Sequence, residues 1–299
     1  MAPDIWFPHL GIRLYDVSRI AFSIFGIGIY WYALFIMLGV LAGLITAKIE
    51  AKRSGQSQEM YMDLLLVGLP SALIGLRLFF VAMNWEIYSQ DPIRIITGIR
   101  EGGLAIFGGI ITSILAVYLF TKIRKLDIWL ILDTCAPSFA LGQAIGRWGN
   151  FVNREAFGNF TDNFLAMRIN RTQTGMPLTQ DILDNLFTFY PNHPFSPFDG
   201  YPTVEFIQVH PTFLYESIGS LIIFALLTAY RPRKNFGGEI FWLYLAGYGL
   251  IRFFIESLRT DQLTLGTLPI SQALAAVAFI VGIAAIILRR TGVWQTNQP

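Results

Sequence analysis

The residues best suited to chemistry lie in one short stretch, "GQAIGRWGNFVNREAFG", which runs from Gly142 to Gly158. It closes a long apolar run, yet it contains two arginines, two asparagines and a glutamate among four glycines. Arg252 and Glu256 interrupt another apolar segment at a spacing of i, i+4, so they share one helical face and can pair. Guanidinium groups hold phosphate through two parallel hydrogen bonds and stay protonated, so these arginines predict a phosphate site.

The composition predicts an integral membrane protein as the carrier of this chemistry. Of the 299 residues, 54% are hydrophobic and only 14% are charged, whereas about a quarter of a soluble domain is charged. The net charge of +2 is too small to suggest a nucleic-acid partner. The single cysteine, Cys135, excludes an internal disulfide and is expected to be a buried packing thiol. The sequence contains no Walker loop, HExxH motif or CxxC pair.

Seven segments are apolar enough and, at roughly 20 residues, long enough to cross a bilayer. The predicted fold class is therefore an all-α polytopic membrane protein, with residues 1–299 in a single membrane domain. Residues 85–103 mix aromatic, charged and apolar positions, which predicts an interfacial arm. Residues 149–211 are predicted to form a small extracytoplasmic head between helices four and five. The predicted spans are about 21–47, 62–84, 104–121, 128–148, 212–230, 238–257 and 269–288.

Basic clusters set the predicted orientation, because lysine and arginine concentrate on the cytoplasmic side. With the N-terminus outside and the C-terminus cytoplasmic, four clusters share the cytoplasmic side. They follow span one (Lys48, Lys52, Arg53), span three (Lys122, Arg124, Lys125), span five (Arg231, Arg233, Lys234) and span seven (Arg289, Arg290).

This orientation gives most of the charges inside the spans one common depth. Arg77, Arg147, Arg252 and Glu256 all fall in the outer half of the bilayer, whereas Asp133 lies near the inner half. An arginine at a helix centre costs roughly 2.5–3.5 kcal/mol on the insertion scale, so such residues usually serve a purpose. The pattern predicts a cavity for an anionic phospholipid of the outer leaflet.

Other interpretations remain open at this point. Arg77 can snorkel to the headgroups, and Arg252 with Glu256 can form a purely structural pair. A lipid transporter or a receptor-like seven-span protein would also place arginines in a membrane. Arg154 is expected to be solvated, and Gly142 with Gly146 is expected to let a neighbouring helix approach closely.

The stretch "GRWGNFVNREAFG" closely resembles the signature of the bacterial prolipoprotein diacylglyceryl transferases. Five further stretches of the chain resemble other motifs of that family and occur in the same order. They are "YWYALF", "EGGLAIFGG", "LDTCAPSFALGQAIGR", "HPTFLYES" and "GYGLIRFFIESLRTD".

The resemblance implies an enzyme of the bacterial plasma (inner) membrane whose active site faces the outer leaflet. Members of the family transfer the diacylglyceryl group of phosphatidylglycerol to the lipobox cysteine thiol of a prolipoprotein signal peptide. A thioether forms and glycerol 1-phosphate leaves, in the first step of lipoprotein maturation. This chemistry implies no metal and no cofactor. The implied partners are phosphatidylglycerol, prolipoproteins and membrane lipids, with no nucleic acid.

The resemblance and the shared depth together give the candidate site. Residues expected to act in catalysis are Arg147, Arg252, Asn150, Glu155 and Tyr32. Residues expected to bind phosphatidylglycerol, besides the two arginines, are Gly102, Gly103, Gly108, Asn153, Gly158, Arg77 and Glu256.

The resemblance does not identify the residue that accepts the thiol proton. Many relatives carry a histidine, and some a tyrosine, at the position of Phe107, which cannot exchange a proton. His210, at the outer end of span five, is a possible proton acceptor. It can equally be a residue that bonds backbone where a helix begins, and the reaction can also proceed without a dedicated base.

Overall fold

The computed structural model describes residues 3–98, 102–175, 196–198, 201–262, 264–265 and 268–293. Glu101, His193 and residues 176–195 of the predicted head lie outside the described residues. The described helices are α1 (Trp31–Arg53), α2 (Glu59–Met83), α3 (Trp85–Tyr88), α4 (Arg94–Thr97), α5 (Ile106–Arg124), α6 (Ile128–Asn153), α7 (Thr212–Tyr230), α8 (Glu239–Leu258) and α9 (Ile270–Arg290).

Seven of these helices are long and apolar enough to cross a membrane, as predicted: α1, α2, α5, α6, α7, α8 and α9. Their large apolar side chains are widely exposed, for example Leu66 at 65% and Ile280 at 62%. Exposed leucine and isoleucine along a helix are stable in hydrocarbon, so these faces suit contact with lipid tails. The chain is therefore a mostly helical, multi-pass membrane protein.

The first span begins ten residues later than predicted, at Trp31 rather than near residue 21. Residues before it form a hairpin of strands β3 (Ile20–Ile24) and β4 (Ile27–Tyr30), in which Ile24 pairs with Ile27. Phe25 and Gly26 both have positive φ, at 50° and 80°, which is the backbone of a two-residue type I′ turn. Hydropathy cannot separate such an apolar, isoleucine-rich hairpin from a helix.

A five-stranded antiparallel sheet makes the all-α prediction incomplete. Its strands are ordered β2-β1-β5-β7-β6, with β1 (Ile5–Phe7), β2 (Ile12–Leu14), β5 (Met167–Asn170), β6 (Ser196–Phe198) and β7 (Tyr201–Val209). Ile5, Phe157, Ile169 and Ile207 are buried in its core. The N-terminal strands thus share one sheet with part of the predicted head. Pairing between such distant segments leaves no local sequence pattern, because register depends on tertiary packing.

The chain divides into two compact units, Met1–Gly43 with Cys135–Pro299, and Leu44–Thr134. In the first unit, small residues let α8 and α9 approach closely, since a Cβ on Gly249 would lie 2.7 Å from the Ala275 carbonyl oxygen. In the second unit, α2 packs on α5, and the short helices α3 and α4 occupy part of the predicted arm at 85–103. The predicted domain boundaries, and the placement of 149–211 as a head, stay predictions.

Candidate active site

Helix α6 carries most of the signature residues, because it continues to Asn153, five residues beyond its predicted end at 148. Gly142 faces Gly39 of α1, where an added Cβ on Gly39 would lie 3.0 Å from the Gly142 carbonyl oxygen. This close contact confirms the expected approach of a neighbouring helix. One turn before the end of α6, a Cβ on Gly149 would lie 2.6 Å from the ring of Tyr32. The absence of a side chain at Gly149 therefore allows the Tyr32 ring to lie against α6.

Arg147 of α6 and Arg252 of α8 meet at a single carboxylate, that of Glu216 in the second turn of α7. Arg147 Nη2 lies 2.5 Å from Glu216 Oε1, and Arg252 Nη1 lies 3.2 Å from Glu216 Oε2. The structure thus brings together two arginines from helices that are distant in sequence. Two like charges come close here because a buried anion stands between them.

Arg252 also pairs with Glu256 on its own helix, as the i, i+4 spacing predicts, with Nη2 2.5 Å from Oε2. Both glutamates are 2% exposed, whereas the side chains of Arg147 and Arg252 are 22% and 15% exposed. The two carboxylates are therefore the more deeply buried members of the cluster, and the two arginine side chains are the more exposed ones. A guanidinium has five N–H donors, and these contacts use only part of them.

The polar network continues from Arg147 along α6 to Glu155. Arg147 Nη1 lies 3.4 Å from Asn150 Oδ1, and Asn150 Nδ2 donates to Glu155 Oε1 at 2.8 Å. Four of the five catalytic candidates therefore belong to one connected polar network: Arg147, Arg252, Asn150 and Glu155. The fifth, Tyr32, lies with its ring against α6 at Gly149.

Arg154, in the turn after α6, is buried and not solvated as expected. Arg154 has a positive φ of 54° and is 5% exposed. Its guanidinium donates to the carbonyl oxygens of Gln173 at 2.9 Å and Val17 at 2.8 Å. Burial lowers the pKa of Arg154, and the charge of Asp4 opposes that change. Arg154 thus links the segments around Val17 and Gln173 by hydrogen bonds to their backbone carbonyls, which the sequence could not identify as partners.

Gly158, a predicted lipid-binding residue, has structural contacts at this turn. Gly158 donates its N–H to the His210 carbonyl oxygen at 3.0 Å, and a Cβ there would lie 2.7 Å from His210 Cβ. The next residue, Asn159, donates to the Leu258 carbonyl at 2.7 Å. Gly158 therefore allows the signature turn to join the start of α7 and the end of α8. Within the described part of the chain, the buried side-chain oxygen of Asn153 has no hydrogen-bond partner.

The ring of His210 lies beside Tyr215 and Asn163. Its Nδ1 is 3.2 Å from the Tyr215 hydroxyl oxygen and 3.5 Å from Asn163 Nδ2. Burial lowers the pKa of His210, so the imidazole is neutral near pH 7 and able to accept a proton. Its role as proton acceptor stays a prediction.

In the second unit, Arg77 is 6% exposed and its donors are directed at backbone carbonyls. Nε donates to Ile95 at 3.0 Å, Nη2 to Arg94 at 2.8 Å, and Nη1 to Gly102 and Gly103 at 2.9 and 3.1 Å. Arg77 therefore fastens the glycine turn to the predicted arm, and this geometry does not favour its predicted contact with a lipid phosphate.

Three of the four glycines of the motif "EGGLAIFGG" are predicted lipid-binding residues, and these three also have structural roles. Gly102 and Gly103 have φ of 95° and 76°, in the left-handed region that favours glycine. Gly108 is buried against Gly75 where α2 packs on α5, and a side chain there would collide with the Gly75 carbonyl. Phe107, at the position where relatives often have histidine, packs against Phe79 with ring centroids 6.5 Å apart. Direct contact of these glycines with phosphatidylglycerol stays a prediction.

Sequence reasoning missed two members of the arginine cluster. Glu216 lies within the motif "HPTFLYES", and Tyr248 lies one turn before Arg252 and donates its hydroxyl to Glu216 Oε1 at 2.9 Å. A carboxylate inside an apolar span requires a partner, so Glu216 itself was a usable signal. Among the described residues, no group of three or more histidine, cysteine, aspartate or glutamate side chains is arranged to hold a metal ion.

Comparison with known proteins assigns the chain to a family. Residues 19–288 match the sequence model of the family described as prolipoprotein diacylglyceryl transferase. A phosphatidylglycerol–prolipoprotein diacylglyceryl transferase of Finegoldia magna is 40% identical over 268 residues, which cover 89% of this chain and 94% of that protein. A protein of the same name from Bacillus cereus is 39% identical over 276 residues, covering 92% and 93%. The chain therefore belongs to the prolipoprotein diacylglyceryl transferase family.

Proposed function

We infer that this protein transfers the diacylglyceryl group of phosphatidylglycerol to the cysteine thiol of a prolipoprotein. The observation that carries this inference is the cluster in which Arg147 and Arg252, from two helices, contact the carboxylate of Glu216. Arg147 belongs to the family signature. The family membership names the reaction, and the cluster supplies the groups that it needs. The reaction is the first step of lipoprotein maturation.

The step is an alkyl transfer at an sp3 carbon. The cysteine sulfur forms a bond to the glycerol carbon that carries the phosphate ester, and the carbon–oxygen bond of that ester breaks. The electron pair leaves with the oxygen as glycerol 1-phosphate, and the thiol gives up its proton. The phosphate therefore changes from a singly charged diester toward a doubly charged monoester. Arg147 and Arg252 stabilise this developing charge through their accessible donors.

The remaining residues of the network orient the reactants. Asn150 links Arg147 to Glu155, and this link fixes the accessible edge of the guanidinium. Tyr32 closes the side of the cluster formed by α1. A free cysteine has a pKa of about 8.5, so a small thiolate fraction exists near neutral pH. The exposed guanidinium edges favour that thiolate, and His210 is the candidate to take the proton.

We propose that the protein lies in the plasma membrane with its N-terminus outside and its C-terminus in the cytoplasm. In this orientation the basic residues that end α9, Arg289 and Arg290, face the cytoplasm, in accordance with the positive-inside rule. The C-terminal end of α6, the first turns of α7 and the C-terminal end of α8 face outward. Phosphatidylglycerol enters from the outer leaflet, and the lipobox cysteine of a signal peptide reaches the same depth.

A synthetic lipobox peptide tests this function directly. The purified protein is incubated with the peptide and vesicles of phosphatidylglycerol, and the product is measured by mass spectrometry. We expect a peptide carrying a diacylglyceryl thioether, with release of glycerol 1-phosphate in equal amount. Vesicles of phosphatidylcholine are the control. An unmodified peptide in a preparation that moves phosphatidylglycerol between leaflets would instead indicate a transporter.

A further inference from the structure

Glu216 is the one carboxylate of the described cluster that contacts both arginines. Its two oxygens are divided between them, with Oε1 next to Arg147 and Oε2 next to Arg252. The Tyr248 hydroxyl donates a hydrogen bond to Oε1, which is the third contact of this carboxylate. The Glu216 side chain is less exposed than either arginine side chain, so it lies deeper in the cluster than they do.

The segment that carries Glu216 is fixed to both of the helices that carry the arginines. The neighbouring Ser217 donates its hydroxyl to the Ala144 carbonyl of α6 at 2.8 Å. One turn further along α7, Gly219 lies so close to α8 that an added Cβ would be 2.8 Å from Ile251 Cδ1. Glu216 is therefore held between α6 and α8 by contacts that do not involve its own charge.

A shared carboxylate imposes a specific spacing on two guanidinium groups. Without it, two buried cations would repel each other, and each long side chain would be free to adopt other rotamers. Carboxylate and phosphate oxygens accept the same paired N–H geometry. Two arginines that are fixed by one carboxylate are therefore already spaced to receive a phosphate on N–H donors that the carboxylate does not use.

We propose that Glu216 is a positioning residue that holds Arg147 and Arg252 in the geometry required by the phosphate of phosphatidylglycerol. This role rests on the proposed function of the arginine cluster. Glu216 does not contact the lipid itself. It contributes to catalysis because a preorganised pair of cations does not need to rearrange when charge develops on the leaving phosphate.

The charges of the cluster give this role a distinctive kinetic signature. The two arginines are balanced by Glu216 and Glu256. Removing the charge of Glu216 leaves a more positive site, which attracts an anionic lipid at least as strongly as before. The spacing of the arginines is lost at the same time, and a misplacement of about 1 Å costs on the order of 100-fold in rate. Positioning therefore affects kcat and not KM, whereas a lost phosphate contact also raises KM.

The experiment compares Glu216→Gln with Glu239→Gln in the full-length protein. Glu239 is a matched control, since it is also fully buried and paired with one arginine, Arg290, at the other end of α8. For Glu216→Gln we expect kcat to fall on the order of 100-fold, with an unchanged or lower KM for phosphatidylglycerol. For Glu239→Gln we expect both constants to stay within about threefold of wild type.

Three results would overturn the proposal: a kcat of Glu216→Gln near the wild-type value, a KM that rises as kcat falls, or an equal loss in Glu239→Gln. If Glu216→Gln does not fold, Glu216→Asp is measured instead. It keeps the charge but is one methylene shorter and reaches only one arginine, so the same fall in kcat is expected.

A binding measurement separates this proposal from the function on which it rests. Isothermal titration calorimetry with short-chain phosphatidylglycerol micelles measures this binding. Glu216→Gln is expected to bind them at least as tightly as wild type, and weaker binding would overturn the positioning role. A wild-type protein that makes no thioether product would contradict the proposed function instead.

Discussion

At the scale of single residues, the site depends on how two guanidinium groups are held. Arg147 and Arg252 each pair with a buried carboxylate, while their own side chains stay partly exposed. Arginine suits this position better than lysine, because its planar fork can contact a carboxylate and a phosphate at the same time. The network to Asn150 and Glu155 extends the same control to the orientation of Arg147.

Replacing either arginine by alanine is expected to reduce transfer to the lipobox peptide by at least roughly 100-fold. This is the range observed when one donor to a developing negative charge is removed. Arg124→Ala serves as the control, since Arg124 pairs with Asp63 at the end of α5 and is 59% exposed. Its activity is expected to stay within about twofold of wild type. Full activity in Arg147→Ala or Arg252→Ala would contradict the site.

The pH dependence of transfer tests His210. Its pKa is lowered by burial, so the ring is neutral above roughly pH 6.5 and gains a proton only below that value. If His210 accepts the thiol proton, the wild-type rate falls as the pH drops through this lowered pKa, and His210→Ala loses that acidic limb. The control is His9→Ala, because the His9 ring contacts Asp162 in the loop that precedes β5. An unchanged profile in His210→Ala would remove His210 from the mechanism.

At the scale of secondary-structure elements, close contacts between helices position the candidate catalytic residues. The end of α6 lies against α1 through Gly142 and Gly149, and the start of α7 is fixed to α6 by Ser217. The turn after α6 is joined to the end of α8 through Asn159 and the Leu258 carbonyl. Each contact needs a small residue or a backbone group, so side-chain chemistry alone does not build the site.

Gly149→Ala tests this positioning by α6. The new methyl group would lie 2.6 Å from Tyr32 Cδ2, so the ring is expected to move and transfer to fall by roughly tenfold. Gly146→Ala is the matched control one turn earlier, where the methyl group would make an ordinary contact of 3.5 Å with Ile36. Alanine favours a helix over glycine by about 1 kcal/mol, so a lower rate in Gly149→Ala cannot be attributed to helix propensity. Equal activities of the two variants would exclude the Tyr32 contact as a determinant.

At the scale of the whole molecule, the seven candidate spans among the described residues predict that the two termini lie on opposite sides of the membrane. The basic ends of the helices predict which of these sides is cytoplasmic. The sheet that joins β1 with β5 places the N-terminal strands together with the segment between α6 and α7. Both are therefore proposed to lie outside, next to the arginine cluster.

Accessibility of single cysteines tests this orientation. Phe164→Cys and Val293→Cys are made with Cys135 replaced by alanine, at sites that are 67% and 75% exposed. A membrane-impermeant maleimide applied to intact cells is expected to label Phe164→Cys, and to label Val293→Cys only after permeabilisation. The reverse pattern would show that the arginine cluster faces the cytoplasm.

The sequence alone determined the features that follow from local composition. Seven spans, the pairing of Arg252 with Glu256 and the close approach at Gly142 all follow from length, spacing and residue size, and the structure confirms them. A hydrocarbon environment penalises polar groups so strongly that spans and their rare charges are visible in the sequence.

Only the tertiary structure decided which residues meet. Hydropathy cannot distinguish the apolar hairpin at Ile20–Tyr30 from a helix, and a sheet built from residues near both 5 and 169 leaves no local pattern. Arg154 was expected in solvent. Its partners are backbone carbonyl oxygens of residues distant in sequence, and a sequence pattern does not reveal such contacts. Glu216 contacts arginines from two different helices. Which helices meet depends on their packing, and no local sequence pattern shows it.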